Sequence, residues 1–172
     1  MALLAAGALL AGPLADGVAW AKKAKIKCKI NGETFKTNAL GGGAVGGYEQ
    51  PIALLTLVGG RAKHKGRSVA TVEIDTQIFS LTVNSVPDLA TATFPLTVPV
   101  TSALFMHDHT KGLNVILAQT WNGEGVTMTI TDFNGSRLKG TAEGTIPPYD
   151  GVDTPAVVED CKFSVSLDLP GT

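Results

Sequence analysis

A period-two alternation of apolar and polar residues is the feature that most constrains the fold of this chain. Residues 23–30 place a lysine at every second position, and apolar residues occupy the positions between them. Because successive side chains of a strand point to opposite faces of a sheet, this pattern predicts a half-buried strand. Asn31-Gly32 follows, and the alternation resumes over residues 33–37. Asn-Gly is the pair preferred in two-residue hairpin turns, so this part of the chain predicts a β-hairpin.

Short segments of the same kind recur to the end of the chain, and Gly, Asn and Pro separate them. No stretch after residue 22 has a helical period. About ten short strands at this spacing predict an all-β fold, an antiparallel β-sandwich with a β-barrel as the alternative. Several segments are apolar on one face only, which favours a sandwich with wet outer faces. The predicted strands are residues 23–30, 33–37, 52–58, 68–75, 77–83, 97–105, 114–121, 126–132, 137–146 and 161–167.

The first residues differ from the rest of the chain and predict a secretory signal peptide. Residues 2–14 form an uncharged run rich in Ala, Leu and Gly, shorter than the roughly 20 apolar residues that span a bilayer. Ala19-Trp20-Ala21 supplies small residues at the two positions that a signal peptidase reads. We therefore expect a signal helix over residues 1–21, cleavage before Lys22, and one β-sandwich domain over residues 22–172. The alternative is a buried N-terminal helix, because no Lys or Arg precedes the apolar run.

The charge of the chain argues against a nucleic-acid partner. It has 14 basic and 15 acidic residues, and removal of the signal removes only Asp16, so the mature chain is formally neutral. The basic clusters at residues 22–29 and 61–67 fit a solvated strand face and a turn. We expect a secreted, periplasmic or cell-surface protein with an unknown extracellular or envelope ligand, no nucleic acid, and no transmembrane span in the mature chain.

Two cysteines, Cys28 near the mature start and Cys161 near the end, predict one disulfide. Exported chains with a pair of cysteines usually oxidise them. This bridge would join the first strand to the last and close a loop of more than a hundred residues.

The chain also resembles a group of bacterial proteins. Residues 126–130, 137–146 and 160–165 resemble strands of uncharacterised secreted and lipoprotein β-sandwich domains, and the hairpin at residues 30–35 resembles their opening strands. The resemblance covers roughly residues 24–168 and implies the fold and export, with no established activity. The chain departs from the family pattern, with Ala where a Phe is usual, Cys where a Gly is usual, and no lipid-bearing Cys.

Three histidines are candidate metal ligands. His107 and His109 flank Asp108, and His64 lies elsewhere in the chain. Three imidazoles and a water would form an open zinc site. In a strand His107 and His109 share one face, whereas in a turn the spacing does not fix their directions. The polar residues favour a turn, so we expect an exposed hairpin tip at residues 106–112, with a zinc site at His107, His109 and His64 as an alternative.

Two further segments contain residue types that bind ions. Residues 149–153, followed by Glu159 and Asp160, place carboxylates in a loop rich in Pro and Gly, which makes calcium an alternative, although the spacing matches no established calcium loop. Residues 41–47 are mostly glycine, but no Lys-Ser or Lys-Thr follows, so a flexible loop is expected instead of a phosphate site. We expect no cofactor.

The sequence contains no signature of a catalytic site. No Gly-x-Ser-x-Gly occurs, and the separation of any paired carboxylates is set by the fold. We expect no catalytic residues and a non-enzymatic exported protein that acts as a surface-associated binding or structural module. The alternatives are a metal-dependent hydrolase or metal-binding protein that uses His107 and His109, and a self-assembling envelope or fibre subunit whose edge strands pair between copies.

Overall fold

A computed structural model describes residues 24–49, 52–68 and 71–168 of the chain. These residues form strands and turns with no α-helix, which confirms the all-β prediction. The predicted signal, residues 1–21, lies outside the described part. The strands are β1 (Lys25–Ile30), β2 (Glu33–Lys36), β3 (Ala44–Glu49), β4 (Leu54–Lys65), β5 (Glu73–Val83), β6 (Leu96–Pro99), β7 (Ser102–Lys111), β8 (Asn114–Gly123), β9 (Val126–Phe133), β10 (Arg137–Ile146), β11 (Pro148–Asp150) and β12 (Ala156–Asp168).

Ten strands form one open, curled sheet in the order β11-β8-β7-β5-β4-β3-β12-β10-β9-β6, and β1 and β2 add to it beside β12. This differs from the expected sandwich of two antiparallel sheets. In this order the strands from β11 to β3 form one half of the sheet and the strands from β12 to β6 form the other, and the pairing of β12 with β3 joins the two halves. The end of β12 pairs in parallel with β3, where Leu167 lies opposite Gly46, and the other pairs are antiparallel. The 13-residue β12 is long enough to pair with β10 on one side and with both β1 and β3 on the other.

The hydrophobic core fills the inside of this curl. Alternation decides which residues reach it: β1 buries every second side chain and exposes the lysines between them. The side chains that both halves contribute form one buried cluster, and the largest include Phe35, Phe79, Leu57, Met128, Ile130 and Leu138. The predicted first hairpin is confirmed, with Asn31 and Gly32 both at positive φ (52° and 78°).

The predicted flexible glycine loop is wrong for most of its length. A 3-10 turn, Ala39–Gly41, is followed after two residues by β3, which contains Gly46 and Gly47. A Cβ atom at Gly46 would lie 2.7 Å from the Leu167 side chain, closer than side chains pack. Glycine is therefore required here because the two halves of the sheet meet at this point.

The predicted disulfide between Cys28 and Cys161 is present and joins β1 to β12 across 133 residues. It lies where the pairing of these strands shifts register, between Lys27 and Lys29. Beside it, Lys29 Nζ lies 2.7 Å from Asp160 Oδ2, and Asp160 has a positive φ of 49°. A covalent bond and an ion pair thus hold the bulge that joins the first and last strands.

Replacing both cysteines, Cys28→Ala with Cys161→Ala, should lower the free energy of unfolding by about 4–5 kcal/mol, the chain-entropy value for so long a loop. Urea unfolding of the two proteins measures the difference. Dithiothreitol should lower the midpoint of the native protein and leave that of the double variant unchanged. Equal midpoints for the native and double-variant proteins would contradict a stabilising bridge.

Acid should remove the stabilisation that the ion pair between Asp160 and Lys29 gives to the bulge. The hydrogen bond from Lys29 and its positive charge hold the pKa of Asp160 below 3.8, its ordinary value. Because the pKa is lower in the folded state, this stabilisation is present above about pH 4 and is lost as the pH falls through the folded-state pKa. Asp160→Asn, which also tolerates positive φ, should therefore flatten the acid limb of stability measured by urea unfolding. Glu143→Gln, at an exposed carboxylate without an ion pair among the described residues, should leave that limb unchanged.

Candidate functional site

The antiparallel register of β4, β5, β7 and β8 aligns side chains in rows across the inner face of the sheet. Directly opposed residues share a face, so each row contains one residue from each strand. One row is Gly59, Phe79, Phe105 and Trp121, which belongs to the core. The next row outward is polar and consists of Arg61, Gln77, His107 and Gln119. The edge of the core on this face is therefore a line of hydrogen-bonding groups.

An open cavity of about 570 Å³ lies against this polar row. The tip of the β1–β2 hairpin and the loop at residues 151–154 form its other walls. The volume falls in the range of small-molecule sites. Its aromatic floor consists of Phe35, Phe105 and Trp121, its polar wall of Gln77, His107 and Gln119, and its acidic groups are Glu33 and Asp153.

Contacts among the aromatic residues fix the floor of the cavity. Phe105 stacks on Trp121 with ring centroids 5.3 Å apart, and Phe35 meets Phe105 edge-on at 6.4 Å. All three side chains are buried. Trp121 Nε1 donates a hydrogen bond of 2.8 Å to the backbone carbonyl of Thr154, which ties the loop over the cavity to its floor. The cavity is therefore held in shape without a ligand.

Arg61 sets the orientation of the Gln77 amide. Its Nη1 donates to Gln77 Oε1 at 2.8 Å and to the backbone carbonyl of Thr34 at 3.1 Å. A guanidinium only donates hydrogen bonds, so the amide oxygen of Gln77 must face it and the NH₂ group lies on the other side. Gln77 is 4% exposed and lines the cavity. The cavity wall therefore carries a buried amide that is positioned as a donor.

Two buried polar side-chain atoms of the described residues have no hydrogen-bond partner, one on His107, which lines the cavity, and one on its neighbour Asp75. They are Asp75 Oδ1 and His107 Nε2, which lie 3.5 Å apart on neighbouring rows of the inner face. Buried polar groups are normally hydrogen-bonded, and exceptions concentrate where function requires them.

The structure brings together only part of the predicted histidine site. His107 and His109 lie in β7, and the predicted turn at residues 106–112 is wrong, because the hairpin turns at Gly112 and Leu113. Pairing on both sides, with β5 and β8, gives this polar segment the partners that keep it a strand. His109 shares the inner face with His107, whereas His64 pairs with Ile74 on the outer face.

The segment proposed for calcium is also divided by the fold. Asp150 ends β11, and Asp153 lines the cavity. Glu159 and Asp160 lie on β12, where Asp160 is bound to Lys29. Within residues 24–49, 52–68 and 71–168, no group of three or more His, Cys, Asp or Glu side chains is placed to hold a metal ion. In the same ranges, no helix has the length and apolar character needed to cross a membrane.

Comparison with models of protein families, with curated proteins and with solved structures found no match.

Sequence reasoning missed most of the residues around the cavity. Gln77, Gln119 and Arg61 belong to different strands and carry no motif. They are aligned only by the register between strands, which cannot be predicted from the sequence of each strand alone. One signal was available: polar residues at positions that continue an inward-facing apolar series, such as Gln77 before Phe79 and Leu81.

Removing the Arg61 guanidinium should destabilise the protein, because the buried Gln77 amide loses its hydrogen-bond donor. Arg61→Met leaves Gln77 Oε1 without its donor, which should lower the free energy of unfolding by about 1–3 kcal/mol. Lys63→Met, at the next inner-facing position of β4, is the matched control, since Lys63 is exposed and forms no ion pair with a described residue. Urea unfolding of both variants should show a loss for Arg61→Met only, and equal losses would contradict the role of Arg61.

Proposed function

We propose that this chain is an exported binding module that holds a small, uncharged, hydroxyl-rich ligand, such as a sugar, in the cavity beside the Gln77–His107–Gln119 row. The observation that carries the proposal is the buried Gln77 amide, positioned by Arg61 at 2.8 Å as a donor on the cavity wall. Hydroxyl groups both donate and accept, so a sugar would accept from the amides and donate to the nearby carboxylates.

The charge of the cavity supports an uncharged ligand. Glu33 and Asp153 line it, and Asp75 lies beside His107. None of the described lining residues is Lys or Arg, and the Arg61 guanidinium is already engaged by two carbonyl oxygens. An anionic ligand would therefore meet uncompensated negative charge, whereas neutral hydroxyls would find acceptors.

Export is the second part of the proposal. The apolar segment at residues 2–14 and the small residues before Lys22 favour a signal peptide. The disulfide between Cys28 and Cys161 is compatible with an oxidising compartment outside the cytosol. We also propose a sandwich-like arrangement as the finer description of the fold, because side chains from both halves of the sheet form one core.

A hydrolase is the second candidate, and the unpartnered His107 favours it. An imidazole beside a carboxylate on a cavity wall is an arrangement that supports general acid–base catalysis. If His107 acts in this way, the module should slowly cleave a bound glycoside, and His107→Gln should abolish cleavage without abolishing binding. Incubation with the disaccharides named below, followed by chromatography, separates this activity from binding alone.

Isothermal titration with lactose, cellobiose and maltose tests the binding function. At roughly −0.3 kcal/mol per non-hydrogen atom, a fitting disaccharide should bind with a Kd on the order of 10 μM. The aldonate counterparts lactobionate, cellobionate and maltobionate have similar size and carry a negative charge. They should bind at least tenfold more weakly than the neutral sugars, because Glu33 and Asp153 repel them.

Gln119→Ala is the variant that reports on the site. Loss of one amide hydrogen bond should weaken binding roughly tenfold. Thr120→Ala is the matched control, since Thr120 is the next residue of β8 and points to the opposite face of the sheet. Absence of heat with all the neutral sugars at millimolar concentration, or equal binding of the aldonates, would contradict the proposed ligand class.

A further inference from the structure

The tip of the β7–β8 hairpin exposes a group of large apolar side chains. Leu113 is 90% exposed, Val115 68% and Ile116 59%. We refer to residues 113–116 as the apolar tip. Single exposed apolar residues are ordinary, but three within four residues at the end of a hairpin mark a contact surface.

Local geometry explains why the apolar tip is uncovered. The register between β7 and β8 shifts after His109, so that Thr110 pairs with Val115 and Ile116 has no partner on β7. On its other side β8 is paired with β11 only at Thr120 and Trp121, which leaves the backbone near the turn as an open edge. The apolar tip therefore projects from the sheet with two sides in solvent.

Basic residues lie on one side of the apolar tip, at the ends of β4 and β7. The register places Lys65 opposite Glu73, and Glu73 opposite Lys111, so the ends of β4, β5 and β7 meet the turn of the hairpin. At about 4.8 Å between strands, Lys65 lies roughly 10 Å from Lys111. Arg67 follows in the adjacent bend and is exposed. Glu73 is the carboxylate in the row formed by Lys65, Glu73 and Lys111, and its Oε1 lies 3.2 Å from Lys111 Nζ.

We propose that this end of the molecule docks on an anionic lipid bilayer. Leu113, Val115 and Ile116 enter the interfacial region, and Lys65, Arg67 and Lys111 contact the negatively charged headgroups. The inference is independent of the cavity, which lies further along the same strands. Apolar anchors combined with basic residues are the two signals that together give stable attachment to a membrane surface.

Charge favours a membrane over a second copy of the chain as the occupant. Three cations against one carboxylate would repel an identical tip, whereas an anionic surface neutralises them. The bulge at Ile116 also interrupts the regular edge that strand pairing between copies would need.

A tryptophan placed in the apolar tip tests the proposal directly. Leu113→Trp in the full chain, combined with Trp20→Phe, leaves Trp121 as the only other tryptophan. Vesicles of phosphatidylcholine with 30% phosphatidylserine should shift the emission to the blue, and brominated lipids should quench it. The Trp20→Phe protein alone serves as the reference, because Trp121 is buried and should not respond.

Charge and apolar variants complete the test. Lys65→Gln with Arg67→Gln should weaken the partition into these vesicles more than tenfold, since each basic residue near an anionic surface contributes about fivefold. In sedimentation with the same vesicles, Leu113→Ser should reduce binding, whereas Leu40→Ser, at a similarly exposed leucine of the 3-10 turn, should not.

Two results would overturn the proposal. One is an unchanged emission of the introduced tryptophan with the anionic vesicles while circular dichroism shows a folded protein. The other is a blue shift that appears without lipid, rises with protein concentration and accompanies earlier elution from a sizing column, which would assign the apolar tip to self-association.

Discussion

The pairing of β12 on both sides is the constraint on which the rest of the structure depends. Its central part lies between β10 and β1, and its last residues pair in parallel with β3. Among the described residues, this contact is the only pairing between a strand of one half of the sheet and a strand of the other. With it, the sheet closes far enough to bury one core. The disulfide at Cys28 and Cys161 secures the same strand near its middle, so covalent and hydrogen-bonded restraints act on one element.

The cavity is a consequence of that curl. A curved sheet brings its inner face toward the β1–β2 hairpin, and Phe35 from the hairpin packs against Phe79 and Phe105 of the opposite strands. Beyond this contact the walls separate to form the open cavity, and the inner-facing residues change from aromatic to polar. On β7 the boundary between the core and the cavity thus lies between Phe105 and His107.

The sequence predicts the parts of this fold that local physics determines. The Asn31-Gly32 hairpin and strands such as β9 and β10 follow from alternation and turn chemistry, and their bounds lie within a residue of the predictions. The path of β3 could not be predicted, because its Gly46 is required by the approach of Leu167, a residue more than a hundred positions away. The same holds for the polar row: the side chains of Arg61, Gln77 and Gln119 meet only through strand register.

The period of two that first indicated the fold also explains how β7 and β8 serve two proposed purposes. Inner-facing residues such as His107 and Gln119 belong to the cavity wall, and alternate residues face solvent on the other side. At Ile116 the bulge breaks this alternation, so that Val115 and Ile116 are both exposed beside the turn. An unbroken register would have directed Val115 inward, opposite Lys111. The irregularity therefore separates the apolar tip from the cavity, so that the proposed sugar and the proposed bilayer would not compete for the same side chains.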